Sequence, residues 1–383
     1  MRIAVPREIA ARETRVSLVP EVVARLTKSG LEVVVQAGAG DRATFADEAY
    51  REAGARVLPG PRELWGEADL VACVRAPQRD EVLGVHQIDL MREGAALIGF
   101  LRPVQNPDLL GKLAARKITA FAMERVPRIS RAQKMDALSS MSTVAGYKAA
   151  LRAAESLGKF FPLLMTAAGT IAPAKVFVLG AGVAGLQAIA TSRRLGAVVE
   201  AFDVRPAVRE EVQSLGANFV SAELADASAV GAGGYAKEQS EEFHRREREL
   251  LAKHVAAADA VISTAMVPDR PAPKLITEEM VQSMRAGSVI VDLAAESGGN
   301  CVLTEPGRRV VKHGVILEGP LDLVCEMPVH ASQMYSRNVL ALLTHLTKDG
   351  KPNFDFEDEI TRDSCLAREG QPLGEPVGAG KTA

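Results

Sequence analysis

Several signals that would settle a protein's chemistry quickly are missing from these 383 residues. The four cysteines, Cys73, Cys301, Cys325 and Cys365, lie far apart with no CxxC pair. That argues against a zinc site or a disulfide framework and suits a reducing compartment; no metal is expected. The six histidines, His86, His244, His254, His313, His330 and His345, form no cluster, and each reads as a surface or capping residue. A formal net charge of -2 gives no basic face for nucleic acid. The start, "MRIAVPREIAARE", lacks an apolar segment behind its basic residue, so no secretory signal is expected. No repeat of solenoid period is visible. The run "FFPLLMTAAGTIAPA", residues 160–174, is interrupted by Pro162, Gly169 and Pro173. A bilayer helix needs about 20 mostly apolar residues, so this run is expected to be buried packing ahead of a core strand.

What is present is an alternation. "RIAVPRE", "LEVVVQAG", "ADLVACVRAP", "AALIGFL" and "ITAFAM" are short apolar runs, separated by helical patterns such as "VPEVVARLTKSG". The helix pattern of residues 142–157, "STVAGYKAALRAAESL", reads as a bridge, with Ala145, Ala149 and Leu151 on one side and Lys148 and Arg152 on another. A second series follows: "KVFVLG", "VVEAFDV", "NFVS", "AVISTAM" and "SVIVDLA". Strands alternating with helices imply βαβ units and parallel sheets, and Val/Ile/Ala-rich runs suit strands buried on both faces. The expected fold is therefore α/β: two Rossmann-like, doubly wound parallel-sheet domains joined by long helices. The first takes residues 1–138 plus 326–383, where a helix returns, and the second takes 139–325. Residues 225–239, glycine-rich around one tyrosine, suit a mobile loop, while the charged run 238–250 suits a solvated helix face. The ending 369–383 has the composition of a disordered tail.

The second series opens with "VFVLGAGVAGLQA", which places Gly180, Gly182 and Gly185 as G-x-G-x-x-G between a strand and a helix pattern. Gly180 permits the tight turn, Gly182 lets the backbone approach a pyrophosphate, and Gly185 allows close helix–strand packing. The helix N-terminus, with Ala181 and Val183 in the turn, offers N–H groups and a positive dipole end to phosphates. Asp203 follows Gly180 by 23 residues, near the interval of about 20 at which an acid accepts hydrogen bonds from the adenosine ribose. Asp203 favours NAD(H) over NADP(H); Val204 and Arg205 flank it, and Arg205 is able to blunt that preference.

A dense polar stretch, "VPRISRAQKMDALSS" at 126–140, precedes this turn. It suits either a solvated connector or a loop handling the reactive end of a bound nucleotide. Oxidation of an alcohol or amine by NAD needs a His, Lys or carboxylate to move a proton, whereas hydride transfer between two nicotinamides needs none. Together with "MRIAVPREIAARETRVSLVPEVVARL", "FFPLLMTAAGTIAPAKVFVLGAGVAGLQAIA", "GGYAKE" and "LAAESGGNC", the stretch resembles the NAD(H)-binding subunit (domain I, the first polypeptide of the alpha subunit) of the proton-translocating NAD(P) transhydrogenase family. The resemblance runs through most of residues 1–314. It implies that Arg128, Gln133 and Asp136 hold the nicotinamide, with Ser139 close by; by their residue types alone, Arg131 and Lys134 read as solvated spacers. It implies that Gly234 and Tyr235 belong to a loop closing over the nucleotide, and that Ala265 and Met266 pass beside it. It also implies a homodimer, a partner subunit binding NADP(H), and a membrane subunit conducting protons, with this chain cytoplasmic and peripheral on the inner face of the membrane.

Alanine dehydrogenase is similar in several motifs and is the alternative enzyme. Where that family carries a lysine this chain has Arg75, near its histidine stands Arg102, and its late aspartate becomes Glu296. Arg15 fits both. An arginine stays protonated and does not serve as a general base, which disfavours amino-acid oxidation. An inert NAD-binding regulator is the remaining alternative.

Overall fold

The computed structural model describes residues 1–220, 241–266 and 270–373. The expected loop at 225–239, with Gly234 and Tyr235, lies outside the described residues. The chain divides into two compact units: Met1–Met141 with Val324–Ala383, and Ser142–Leu323. The first boundary falls inside the helix Ala137–Ser156.

The first unit is built on an eight-stranded sheet. Its order is Gln371–Pro372, Cys365–Arg368, Thr119–Ala122, Ala96–Phe100, Leu70–Arg75, Arg2–Val5, Glu32–Gln36, Arg56–Leu58. The six strands of the N-terminal segment pair in parallel; the last two in the chain add on antiparallel. Arg2–Val5 is central, and successive strands are added first to one side of it and then to the other. Leu70–Val74 and Ala96–Ile98 are buried at every position, as parallel strands covered on both faces must be. The helix Pro20–Lys28 starts with proline, whose missing N–H costs nothing there, and buries Val22, Val23 and Leu26. The returning helix Pro328–His345 is tied down by its own polar side chains. The Ser332 and Ser336 hydroxyls accept from the Val16 and Val19 N–H groups, and the Tyr335 hydroxyl donates to the Cys73 carbonyl.

The second unit carries a seven-stranded sheet ordered Asn218–Val220, Val198–Phe202, Lys175–Leu179, Ala260–Ser263, Val289–Asp292, Val315–Glu318, Arg309–Lys312. All pairings are parallel except that of Arg309–Lys312. Alternate residues of the same strands feed two cores. Val176, Val178, Ile262 and Val291 join Ala149, Ala150 and Ala153 of the bridging helix and Ala188 and Ile189 of the helix Val183–Arg194. Phe177, Leu179, Val261 and Ile290 join Leu251 and Val255 of the helix Glu241–Ala257. Helices therefore cover both faces, the doubly wound arrangement expected from the sequence.

Two local expectations fail. The run 160–174 is not buried throughout. Phe161 and Ala174 are, but Leu164–Thr166 and Gly169–Ile171 form an antiparallel hairpin on which Leu163, Met165 and Ile171 are exposed, as is Phe160 before it. A short apolar run does not by itself distinguish a core strand from a hairpin paired only with itself. The region from 369 is also ordered further than its composition suggests: Gln371–Pro372 pairs with Cys365–Arg368, and only 374–383 lie outside the described residues. No helix among the described residues is long and apolar enough to cross a membrane.

Candidate dinucleotide site and the polar loop

The strand Lys175–Leu179 and the helix Val183–Arg194 are joined by three residues, 180–182. Gly180 has φ +91°, the left-handed region that glycine adopts without strain. A Cβ on Gly185 would stand 1.8 Å from the Gly180 carbonyl oxygen, so any larger residue would push the helix off the strand. A Cβ on Gly182 would meet nothing closer than an Arg205 nitrogen at 3.9 Å, so the backbone there faces open space. Val183, the first helical residue, is 42% exposed. The three glycines therefore do three different things, and the helix N-terminus is left accessible to an anion. This is the geometry a pyrophosphate needs.

The turn lies beside the strand where the chain order reverses: Lys175–Leu179 pairs with Val198–Phe202 on one side and Ala260–Ser263 on the other. Ligands of open α/β sheets bind at such switch points, beyond the carboxyl ends of the strands. The neighbouring strand ends supply the rest. Asp203, past Phe202, is nearly buried and accepts a hydrogen bond from the Ala181 N–H at 2.7 Å. The Arg205 side chain donates to both Asp203 oxygens at 2.8 Å. Val204 is partly buried against the core. Beyond Ala260–Ser263, Ala265 is partly buried and Met266 is exposed.

Three supporting residues carry no clear signal in the sequence. The Thr264 hydroxyl reaches the carbonyls of Leu179 and Gly180, closing the turn from the adjacent strand. Asn300, fully buried, accepts from the Ala265 N–H and donates to the carbonyls of Ala265 and Pro273, fixing the segment that ends at Met266. Gly146 lies on the bridging helix where a Cβ would fall 2.0 Å from the Ala184 carbonyl oxygen, so that helix presses against the first turn of Val183–Arg194. The helix periodicity of 142–157 gives no sign of this contact. Only glycine's presence mid-helix, unfavourable by about 1 kcal/mol against alanine, hints at it.

In the first unit, the polar stretch forms a 3-10 turn, Ser130–Met135, leading into the helix Ala137–Ser156. Ala132 and Met135 are buried and anchor it, and Asn338 donates to the Lys134 carbonyl. Arg128, Gln133 and Lys134 are exposed. Asp136 stands just before the helix, and its carboxylate accepts from the Ser139 N–H at 2.8 Å and hydroxyl at 2.6 Å. Satisfying an N–H of the first turn in this way is the action of a helix cap. Asp136 and Ser139 are thus bound to each other. Arg131 is exposed but pairs with Asp358 and Glu359, which makes it an attachment of the loop rather than a plain spacer.

Two of the three positions that separate the candidate enzymes, Arg75 and Arg102, also lie in the first unit, as does Arg15. Glu13, completely buried, is gripped by Arg15 at both oxygens and by Arg75 at 2.7 Å. Burial alone would raise the Glu13 carboxyl, but the hydrogen bonds and charges of Arg15 and Arg75 outweigh it and hold it at about 2. Glu8 accepts from the Val74 and Arg75 N–H groups, yet desolvation and the nearby Glu13 charge push it up to about 7. Arg102 sits at φ +41°, its N–H donating to Glu124. In the second unit, Glu296 accepts from the Asp322 N–H.

The alanine dehydrogenase/PNT N-terminal domain family matches residues 4–145, and its C-terminal domain family matches residues 149–374. The first of the NAD(P) transhydrogenase alpha-subunit polypeptides of Rhodospirillum rubrum is 47% identical over 97% of this chain and 97% of its own length. The alanine dehydrogenase of Bacillus subtilis is 31% identical over 82% of this chain and 78% of its own. Among solved structures, a transhydrogenase from Sinorhizobium meliloti superposes with a TM-score of 0.87 at 40% identity, covering 97% of this chain and all of that one. The chain belongs to the alanine dehydrogenase/PNT family and, within it, stands with the NAD(P) transhydrogenase alpha subunits.

Proposed function

We propose that this chain binds NAD(H) on the turn Gly180–Gly185 and passes hydride to NADP⁺ held by a separate subunit, as a component of a proton-translocating transhydrogenase. The observation that carries the reading is the open backbone at Gly182 beside a helix N-terminus and an acid, in a chain whose relatives at 46–47% identity are named transhydrogenase alpha subunits. When bound, the reduced nicotinamide supplies the hydride and the oxidised ring of the partner accepts it, so neither ring exchanges a proton with the protein.

What remains for the protein is binding and orientation, and positioning of reacting groups can account for much of a rate. Under this proposal Gly180, Ala181, Gly182, Val183 and Gly185 hold the pyrophosphate, and Asp203 takes the adenosine ribose with Val204 and Arg205 beside it. Ala265 and Met266 flank the dinucleotide; Gly234 and Tyr235 cover it. Arg128 and Gln133, exposed on an anchored loop, orient the carboxamide, while Asp136 and Ser139 brace that loop at the helix start. The homodimer, the membrane subunit that conducts protons, and the peripheral location at the membrane belong to the same proposal and rest on the resemblance.

The alanine dehydrogenase reading has less support. Arg75, at the position where that family carries a lysine, already shares the carboxylate of Glu13 with Arg15, and an arginine does not serve as a general base. Mixing the chain with an NADP(H)-binding transhydrogenase component should give NADH-dependent reduction of NADP⁺, while L-alanine should not drive reduction of NAD⁺. Activity with L-alanine and none with NADP⁺ would replace this proposal with its competitor.

A further inference from the structure

The Asp203 carboxylate is fully subscribed. An ionised carboxylate offers about four acceptor positions on its two oxygens. Here Oδ1 accepts from the Arg205 N–H at 2.9 Å and Arg205 Nε at 2.8 Å, and Oδ2 accepts from the Ala181 N–H at 2.7 Å and Arg205 Nη2 at 2.8 Å. Two of these donors are main-chain groups fixed by the turn and by the strand end. The other two belong to one guanidinium, whose side chain is 20% exposed.

Two hydroxyls of an adenosine ribose need the acceptor positions that the guanidinium holds. We infer that Arg205 competes with the ribose for Asp203 and is the residue that sets, and weakens, this chain's preference for NAD(H) over NADP(H). The inference rests on the dinucleotide reading of the turn. Its chemistry is that of exchange: ribose binding releases two charge-assisted hydrogen bonds and replaces them with two neutral donors, so part of the gain is cancelled. A 2′-phosphate reverses the balance. Asp203 repels it, but a guanidinium already seated on Asp203, 3.9 Å from the Gly182 Cβ position, stands where an arginine accommodates such a phosphate.

Arg205→Met keeps the length of the side chain and removes its donors. Binding of NADH and NADPH to the whole chain, by calorimetry and nucleotide fluorescence, should show NADH tightening about 3- to 5-fold, the range set by loss of a partly exposed ion pair. NADPH should weaken. Arg205→Lys keeps the charge without the fork, so it should tighten NADH while retaining NADPH. Circular dichroism and the melting midpoint establish that both variants are folded, and the lysine variant carries the test if the methionine variant is not. NADH binding unchanged or weakened in the folded variants would overturn the inference alone. Failure of the unaltered chain to bind either dinucleotide would overturn the dinucleotide reading and this inference with it.

Discussion

The two units carry the same kind of sheet, and the difference between them lies at the carboxyl ends of equivalent central strands. In the second unit, Lys175–Leu179 is followed after three residues by a helix, and the turn leaves the Gly182 backbone open. In the first, Arg2–Val5 is followed by residues 6–19 without a helix, and those residues turn charge inward. Glu8 caps the N–H groups of Val74 and Arg75, and Glu13 binds Arg15 and Arg75. One sheet end is filled by its own side chains, and the other leaves its backbone open at Gly182. Fold alone does not make a binding site; the connection after the first strand does.

The largest effect expected on this contrast is from Glu13→Gln. It leaves Arg15 buried without its counter-charge, which costs about 3–5 kcal/mol when one partner of a buried pair is removed. Denaturant unfolding should show that loss, while the folded fraction keeps its NADH affinity; a parallel drop in affinity would mean that the filled end is also a ligand site. The same cluster predicts pH behaviour. Glu13, held at about 2 against an ordinary 4.5, contributes stability that is present above pH 4.5 and lost as pH falls toward 2. Glu8, raised to about 7, has the opposite sign: its contribution is present below pH 4.5 and lost as pH rises through 7. Glu8→Gln should therefore flatten the fall in melting midpoint between about pH 5 and 8, and an unaltered slope would remove Glu8 from the account.

On the open side, Gly185→Ala should be next in size. Its Cβ meets the Gly180 carbonyl, and such overpacking costs about 1–3 kcal/mol. NADH binding should fall by at least about tenfold, because the displaced helix is the one that would hold the phosphates. Asn300→Ala should cost about 1–3 kcal/mol by leaving the Ala265 N–H without its partner, with NADH binding weakened less than by Gly185→Ala. Arg131→Ala, which removes exposed ion pairs only, should leave the melting midpoint within error of the unaltered chain; a clear drop would show that the loop depends on them.

Legibility in the sequence follows the distance over which each constraint acts. The strand Lys175–Leu179, the three glycines and Asp203 are readable because their reasons are local: a turn, a backbone approach and one strand's spacing. Gly146 is not, because what forbids a side chain there is a carbonyl on another helix. Asn300 and Thr264 act across strands, and a lone polar residue at the end of an apolar run carries no sign of which backbone group it will meet. The run 160–174 misleads because apolar composition suits both a buried strand and an exposed hairpin. In the polar loop, residue types suggest a ligand clamp, but in the fold one of the four, Asp136, caps a helix and another, Ser139, is the residue it holds. Arg205 is visible as a cation near the acid; its grip on both carboxylate oxygens requires the fold.

The central claim is direct passage of hydride from a nucleotide on this chain to one on a partner. NADH carrying deuterium at the transferable C4 position, mixed with this chain and an NADP⁺-loaded transhydrogenase component in ordinary water, tests it most directly. The account predicts NADPH that carries the deuterium in full. NADPH labelled with solvent hydrogen instead, or no NADPH from a chain shown to bind NADH, would contradict it.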